Sequence, residues 1–487
     1  MAELKHYQMY INGKFVESSN KKTLTVLNPA TGEPISTVPS ASHEDVQAAI
    51  DGSFKAQKEW KNVPAPTRGA YLHKIADQIR INEDDLIHAL QEEQGKIYDA
   101  AKVEIEFSAD YLDYMGSAGR TYEGEILQSD NPNENIMIAK QPIGVTAGIL
   151  PWNYPFFLVV RKLGPALVTG NTVIIKPSSD TPNIGLMFAK LVDQVDLPAG
   201  VAQFVTGPGS VVGDELSKNH KIGEISLTGS VAAGTQVMAA AAGHLARVSL
   251  ELGGDAPAII CKDADIDAAV QGVIDSRVDN NGQLCNNTER VYVQESIADE
   301  FTEKLTQKMA AVTVGDPLKD KSVLMGPLIN QAAVDKVDKM VQQAVKDGGE
   351  ITTGGHKPDD LASGFYYLPT VIKNCRQDMQ IVKEEIFGPV LPIVTFKTLK
   401  EAVEMANDSE LGLTSSIWTQ SVENAQYAAN QLEDGETYIN RFNFEAMQGF
   451  HAGWKESGVG GSDGRHGIEE YLNTHVIYLQ GHPDKLQ

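Results

Sequence analysis

At 487 residues, 42% of them hydrophobic and 22% charged, the chain is too long for one hydrophobic core and too apolar to stay disordered, so two or three domains are expected. Its 41 Lys+Arg against 65 Asp+Glu give a formal charge of -24, an acidic surface that repels phosphate backbones and anionic membranes and disfavours nucleic-acid binding. Three widely spaced cysteines (Cys261, Cys285 and Cys375), with no C-x-x-C, no secretory apolar region near the start and no long uncharged apolar stretch, point to a soluble, reduced, cytosolic chain.

An opening strand pattern, "HYQMYINGKFV", and a turn-rich "NPATGEP" lead into residues 43–118, which are charged and apolar at helical spacing and predict packed helices. "EGEILQSDNPNENIMIAKQ" (123–141) is strand-like but stands apart. From about 143 short apolar runs closed by Gly, Pro or Ser ("IGVTAGILP", "NTVIIKPSS", "AQFVTGPGS", "EISLTGS") alternate with helix-length segments. That alternation predicts a doubly wound parallel sheet that binds nucleotides at its carboxyl edge. A second alternating series begins near 254 and runs through "ERVYVQ", "FYYLPTVI", "GPVLPIVTF" and "GETYIN", a second α/β domain. The tail "THVIYLQ" is another orphan strand; such strands pair with one another or with another subunit.

Two glycine-bearing turns carry the nucleotide signal. "VTGPGSVVG" holds Gly209 and "LTGSVAAG" holds Gly229 and Ser230, each after a strand of the same sheet, where helix N-termini and bare amides meet a pyrophosphate. Either could be a plain strand-to-helix turn. Lys176, ending "VIIK", adds a cation on that edge.

"NNGQLCNNTER" (280–290) places Cys285 among asparagines, a glutamine and a glycine, where a thiol that merely packed would have apolar neighbours. A thiolate can add to an aldehyde carbonyl, and a polar donor can hold the oxyanion that forms. Asn153 in "PWNYP", together with the backbone N–H of Cys285, fits the donor; the alternative is a turn asparagine between prolines. Release of a thioester needs water and a base. Glu251 in "SLELGGDAPAII", inside an apolar strand before a Gly-Gly turn, is the candidate, with burial expected to raise its pKa toward the working pH. The eleven histidines show neither H-E-x-x-H nor a cluster with cysteine, so no metal site is expected.

With "NPATGE", "GNTVIIKPS", "LELGG", "EEIFGPV", "LGLTSSI" and "KESGVGG" in order beside these motifs, the chain resembles the aldehyde dehydrogenase superfamily along essentially its whole length. The resemblance implies a Rossmann-like dinucleotide-binding domain (1–119 and 143–253), an α/β catalytic domain (254–465) and a small β oligomerisation element (120–142 and 466–487) that builds a homodimer or homotetramer. It implies Cys285 as nucleophile, Glu251 as deacylating base and Asn153 as oxyanion donor. Lys176 and Glu385 would hold the two riboses of NAD or NADP, with Phe387 beside the nicotinamide and Trp152, Gly229 and Ser230 lining its path. The presence of Glu251 favours hydrolysis to a carboxylate over transfer to coenzyme A.

"EFSADYLDYMGSAGRTYEGEILQSD" and "GETYINRFNFEAMQGFHAGWKESGVGGSDGRHGIEEYL" resemble the branch of that family acting on lactaldehyde and glycolaldehyde. Arg161, where many relatives carry an aromatic residue, and Glu445 and His451 from the late loop would be left unpaired against an alkyl tail, at about 1 to 3 kcal/mol each, but satisfied by a short hydroxylated substrate. A plain Arg161–Glu445 pair at the pocket rim is the alternative. Two departures stand out. Asp255 places a second carboxylate four residues after Glu251, and Ser179 replaces the Glu usual in NAD-preferring relatives, so NADP use is expected. A thiol esterase or acyl-transferase without redox chemistry, a semialdehyde dehydrogenase and a non-catalytic binding protein are the competing readings.

Overall fold

A computed structural model describes residues 4–482. The outermost ends of two expected segments, 1–3 and 483–487, lie outside the described residues.

Five buried parallel strands form the centre of an eight-stranded sheet, in spatial order Arg247–Glu251, Ile222–Thr228, Val145–Ile149, Thr172–Lys176 and Ala202–Phe204. After Val145–Ile149 the chain adds two strands on one side and then two on the other. That reversal opens a crevice beyond the carboxyl ends of Val145–Ile149 and Ile222–Thr228. The antiparallel hairpin Met9–Ile11 and Lys14–Val16 extends one edge. At the other edge Gly458–Val459, from the span expected to be catalytic, pairs with Leu250 and Glu251. This return crossing brings Ser462 to Glu251 and Asp463 to Arg161.

The second series forms a seven-stranded sheet, parallel except at the edge pair Glu350–Thr353 and Thr370–Lys373. Its strand Arg290–Gln294 begins five residues after Cys285. The orphan strands Glu125–Gln128, Glu134–Pro142 and Leu472–Gln480 pair with one another in a three-stranded antiparallel sheet. That sheet exposes Ile126 (77%) and Tyr478 (65%).

Residues 43–118 are four helices, the first opened by a Ser42–Asp45 capping box. The helix Phe157–Thr169 is buried throughout, and its entry is fixed by a buried ion pair. Glu104 accepts the Phe156 and Phe157 amides (2.8 and 3.0 Å) and pairs with Lys96 at 2.5 Å. Lys96 also donates to the Asn153 carbonyl (3.1 Å) and lies 3.4 Å from the Tyr154 ring centroid. The loop carrying Asn153 is therefore held by charge as well as by packing.

Replacing Glu104 with Leu orphans Lys96 and two amides, so it should destabilise the protein by about 3 to 5 kcal/mol. Urea midpoints of Glu104→Leu and of the double variant with Lys96→Met check this, and the double variant should recover part of the loss.

Candidate active site

Two clefts meet at Cys285. One runs over the sheet crevice and is lined by Trp152, Gly229, Ser230, Glu385 and Phe387 among others; the other is lined by Phe157, Arg161, Glu251, Asn286, Phe444 and Glu445 among others. Cys285, Asn153 and Thr228 line both. Cys285 is partly exposed, whereas Cys261 and Cys375 are buried and their thiols are pushed up to about 12 by that burial.

The polar neighbours of Cys285 prove to be its scaffold. Asn280 (φ 47°), Asn281 (φ 61°) and Gly282 (φ 73°) follow one another in the left-handed region, which Asn and Gly tolerate best. Asn153 donates to the Gln283 carbonyl (2.9 Å), Asn280 to the Asn153 carbonyl (3.0 Å), and Gln283 accepts the Ile329 amide (3.0 Å). Gly254 closes the loop from the other side. A Cβ there would come 2.3 Å from the Cys285 carbonyl oxygen. Asn153 spends one amide hydrogen on this lock and retains a second that can donate elsewhere.

Glu251 corrects the expectation of a raised pKa. Burial, the largest influence, pushes its pKa up, but Lys162, Arg161 and His451 outweigh burial and hold the carboxyl well below the usual carboxylate range. Lys162 Nζ lies 3.2 Å from Oε1 and Arg161 3.8 Å from Oε2. Thr228 donates to it at 3.0 Å, and Ser462 donates as well. Sequence reasoning missed Lys162, Thr228 and Ser462, which only the fold brings to Glu251, and Asp463, which it brings to Arg161.

Arg161 is buried, and its Nε donates to Asp463 Oδ1 at 3.0 Å while Nη2 takes the other oxygen. Glu445 is a second partner at 3.4 Å and also accepts from Asn286 at 2.7 Å. The Arg161–Glu445 pair thus exists, but at a buried pocket end and secondary to Asp463. His451 lies behind the pocket, 3.3 Å from Glu436 and near Cys285. Burial and Arg161 oppose its charged form, yet Glu445, Cys285 and Glu436 hold its pKa well above the ordinary value. Asp255 is turned to Arg290 (3.1 Å) and Ser409 (2.7 Å), so its charge is neutralised away from Glu251.

On the cofactor side, Trp152 and Phe387 meet edge to face at 5.6 Å. Phe387 has φ 56°, and its amide and that of Ile386 are gripped by Glu289 (3.0 and 2.9 Å), itself paired with Arg277 at 2.9 Å. Glu385 accepts the Gly254 amide at 2.9 Å, and burial with Glu289 pushes its carboxyl up to about 7. Lys336, which the sequence did not single out, lines this cleft and donates to the Glu385 carbonyl at 2.9 Å. Ser230 caps the helix Val231–Ala241.

Lys176, Ser179 and Gly209 lie farther along the same sheet edge. Lys176 is buried, its ammonium lowered to about 8 by desolvation against the pull of Asp180, and Ser179 donates to the Gly207 carbonyl at 3.2 Å. A Cβ on Gly229 would meet nothing nearer than 3.9 Å and one on Gly209 nothing within 4 Å. Protein packing requires neither glycine, and the bare backbone they present fits the close approach of a dinucleotide. Among the described residues no group of three or more His, Cys, Asp or Glu is placed to hold a metal, and no helix is long and apolar enough to cross a membrane.

Residues 15–477 match the model of the aldehyde dehydrogenase family. The chain is 52% identical over 474 residues to lactaldehyde dehydrogenase of Escherichia coli strain K12, covering 97% of this chain and 98% of that one. A crystal structure of the E. coli lactaldehyde dehydrogenase superposes with a TM-score of 0.97 over 98% of this chain and 100% of that one, at 51% identity. D-glyceraldehyde dehydrogenase (NADP(+)) of Picrophilus torridus is 38% identical over 97% of each chain. The structure of betaine aldehyde dehydrogenase from Staphylococcus aureus in complex with NAD+ has a TM-score of 0.95 at 35% identity, over 97% of this chain and 94% of that one. With the family model spanning nearly all of the chain and the two clefts meeting at one cysteine, the chain belongs to the aldehyde dehydrogenase family.

Proposed function

We propose that this aldehyde dehydrogenase oxidises small hydroxyaldehydes such as lactaldehyde or glycolaldehyde to carboxylates, with NAD or NADP. The observation that carries the reading is the position of Cys285 between the crevice at the sheet's carboxyl edge and a narrow cleft, its cavity volume about 60 Å³, with a charged end. Cys285 Sγ adds to the carbonyl carbon, and the free Asn153 amide hydrogen and the Cys285 N–H receive the oxyanion. The dinucleotide, when bound between Trp152, Phe387, Glu385 and Lys176, supplies the hydride acceptor. A thioester on Cys285 remains, and Glu251 takes a proton from the water that hydrolyses it. Inside its ion pair Glu251 is too weak a base for that step, so it must turn from Lys162 and Ser462 toward the thioester.

The cleft's charge favours hydroxyaldehydes over semialdehydes. Arg161 is already shared by Asp463 and Glu445, so a substrate carboxylate meets two carboxylates and no free cation. A hydroxyl can donate to Glu445 and accept from Asn286. An esterase without redox chemistry leaves the glycine-lined crevice unused. The exposed strand Leu472–Gln480 offers an unpaired edge through which subunits can assemble, and three free cysteines suit a reducing compartment.

Cys285→Ala should abolish aldehyde oxidation and ester hydrolysis, and iodoacetamide should label Cys285 with aldehyde protecting it. Cys261→Ala and Cys375→Ala should stay near parental activity; equal losses at all three positions remove the assignment.

Replacing Glu445 with Leu should lower kcat/KM for glycolaldehyde relative to propanal about tenfold, or about 1.4 kcal/mol. An unchanged ratio in the same assay shows that Glu445 only braces Arg161.

Ser179 leaves the Lys176 edge without the carboxylate that excludes a 2′-phosphate, although Asp180 keeps one acidic group within reach of Lys176. Removing one like charge at partial burial is worth about 1 to 3 kcal/mol, so NADP should be used beside NAD, and Ser179→Glu should cut the NADP to NAD ratio of kcat/KM about tenfold or more. Because Lys176 carries its charge below about 8, the parental ratio should also fall as pH rises through that value. Strict NAD dependence of the parent removes the argument.

A further inference from the structure

Behind Glu251 the sheet carries a row of polar groups that the reaction above does not use. Glu224, Ser226 and Thr228 alternate onto one face of their strand, and their register partners on the next strand are Arg247, Ser249 and Glu251. All but the exposed Arg247 are buried. Lys162 lies over this face, since a Cβ on Gly148, the register partner of Ser226, would come 3.2 Å from the Lys162 Cβ. Its Nζ is at ion-pair distance from Glu251 without hydrogen-bond alignment.

Successive members of the row have no protein hydrogen-bond partner: Lys162 Nζ, Ser226 Oγ and both Glu224 carboxyl oxygens. Buried polar groups of this kind are bonded to internal water. The charged and titratable groups facing Glu224 are Lys162 from the helix Phe157–Thr169, Arg247 from the adjacent strand, and Glu470 and Tyr471 at the end of the helix Gly464–Glu470. Burial and then Glu470 raise the Glu224 carboxyl well above its ordinary range, while burial lowers Lys162. Both shifts weaken the preference of each group for its charged form. At the far end the row reaches a surface cleft lined by Arg247, Glu470, His466 and Lys140. Glu224 stands four residues before Thr228, about 13 Å toward the amino end of the strand and away from Cys285.

We propose that this row is the exit for the proton that Glu251 takes during thioester hydrolysis, with Glu224 as its inner acid; the proposal rests on the hydrolytic reading above. Water oxygen bonds to the acyl carbon and gives one proton to Glu251. The C–S bond breaks, its electron pair leaving on Cys285 Sγ, and the second water proton departs on the product carboxyl group. Glu224, protonated at rest, gives its proton to solvent beside Glu470; Lys162 passes a proton through internal water at Ser226 to the Glu224 carboxylate so formed, and Glu251 gives its proton to the Lys162 amine that remains. Glu224 thus acts through Lys162 and Glu251 and does not touch substrate.

The test forms the acyl-enzyme with p-nitrophenyl acetate, without cofactor, and follows its decay by intact-protein mass. In Glu224→Gln, acylation should keep its parental rate while decay slows about tenfold, with a larger solvent deuterium isotope effect on decay; Glu224→Asp should recover part of the rate. The infrared carboxylic-acid band of buried Glu224 should vanish in the Gln variant. Ser226→Val is the second variant and should slow decay without altering acylation. Glu251→Gln, measured alongside, separates the two readings: if it fails to stall decay, the hydrolytic reading itself is wrong. If it stalls decay while Glu224→Gln, or Ser226→Val where the Gln variant does not fold, decays at the parental rate and isotope effect, the exit path is overturned.

Discussion

Arg161 and Lys162, adjacent on one buried helix, hold the site together by their charge. Successive helical residues point about 100° apart, so Arg161 enters the substrate cleft and takes Asp463 and Glu445, while Lys162 runs beneath the sheet to Glu251. A buried cation without a partner is strongly unfavourable, and the strand Gly458–Val459 meets that demand by bringing the segment with Ser462 and Asp463 back to the edge of the cofactor sheet. The same helix begins a few residues after Asn153, where Glu104 and Lys96 fix its first turn. One set of ion pairs therefore positions Asn153, Glu251 and the polar end of the cleft lined by Arg161 and Glu445.

That arrangement also shapes the base. On the proposed reaction, a carboxylate gripped by Lys162, Thr228 and Ser462 stays out of the thiol and aldehyde steps, because these partners lower its proton affinity. Its weakness as a base is relieved only when it leaves those partners. The order of steps is thus favoured by where the carboxylate rests.

The parallel sheet and its crevice were legible because a strand buried on both faces reads as a short apolar run closed by Gly, Pro or Ser, as "NTVIIKPSS" and "EISLTGS" do. Cys285 was legible because its neighbours are polar. Their reason was not, since Asn280, Asn281 and Gln283 serve through left-handed backbone and hydrogen bonds to Asn153 and Ile329. The proton affinity of Glu251 was misread for a physical reason. Burial is visible in flanking leucines, but Arg161 and Lys162 lie some ninety residues earlier in sequence, and nothing local marks them as partners. The effect of Asp255 on Glu251 stayed undetermined in the sequence because side-chain direction at a strand end depends on what the second sheet offers, here Arg290.

Placing Cys285, the proposed nucleophile, on a loop between two sheets follows from what must reach it. A dinucleotide needs the carboxyl edge of the first sheet, where Gly229 and Gly209 leave backbone bare, and an aldehyde needs a separate entrance so that neither ligand blocks the other. Both clefts end on Cys285. A buried base at the meeting point of two clefts gains from an exit through the protein itself, and the polar row leads from Glu251 toward the amino end of its sheet. The unpartnered oxygens of Glu224 lie in that row. The feature that looks least favourable for stability, a carboxyl group buried without a protein partner, has its functional explanation there.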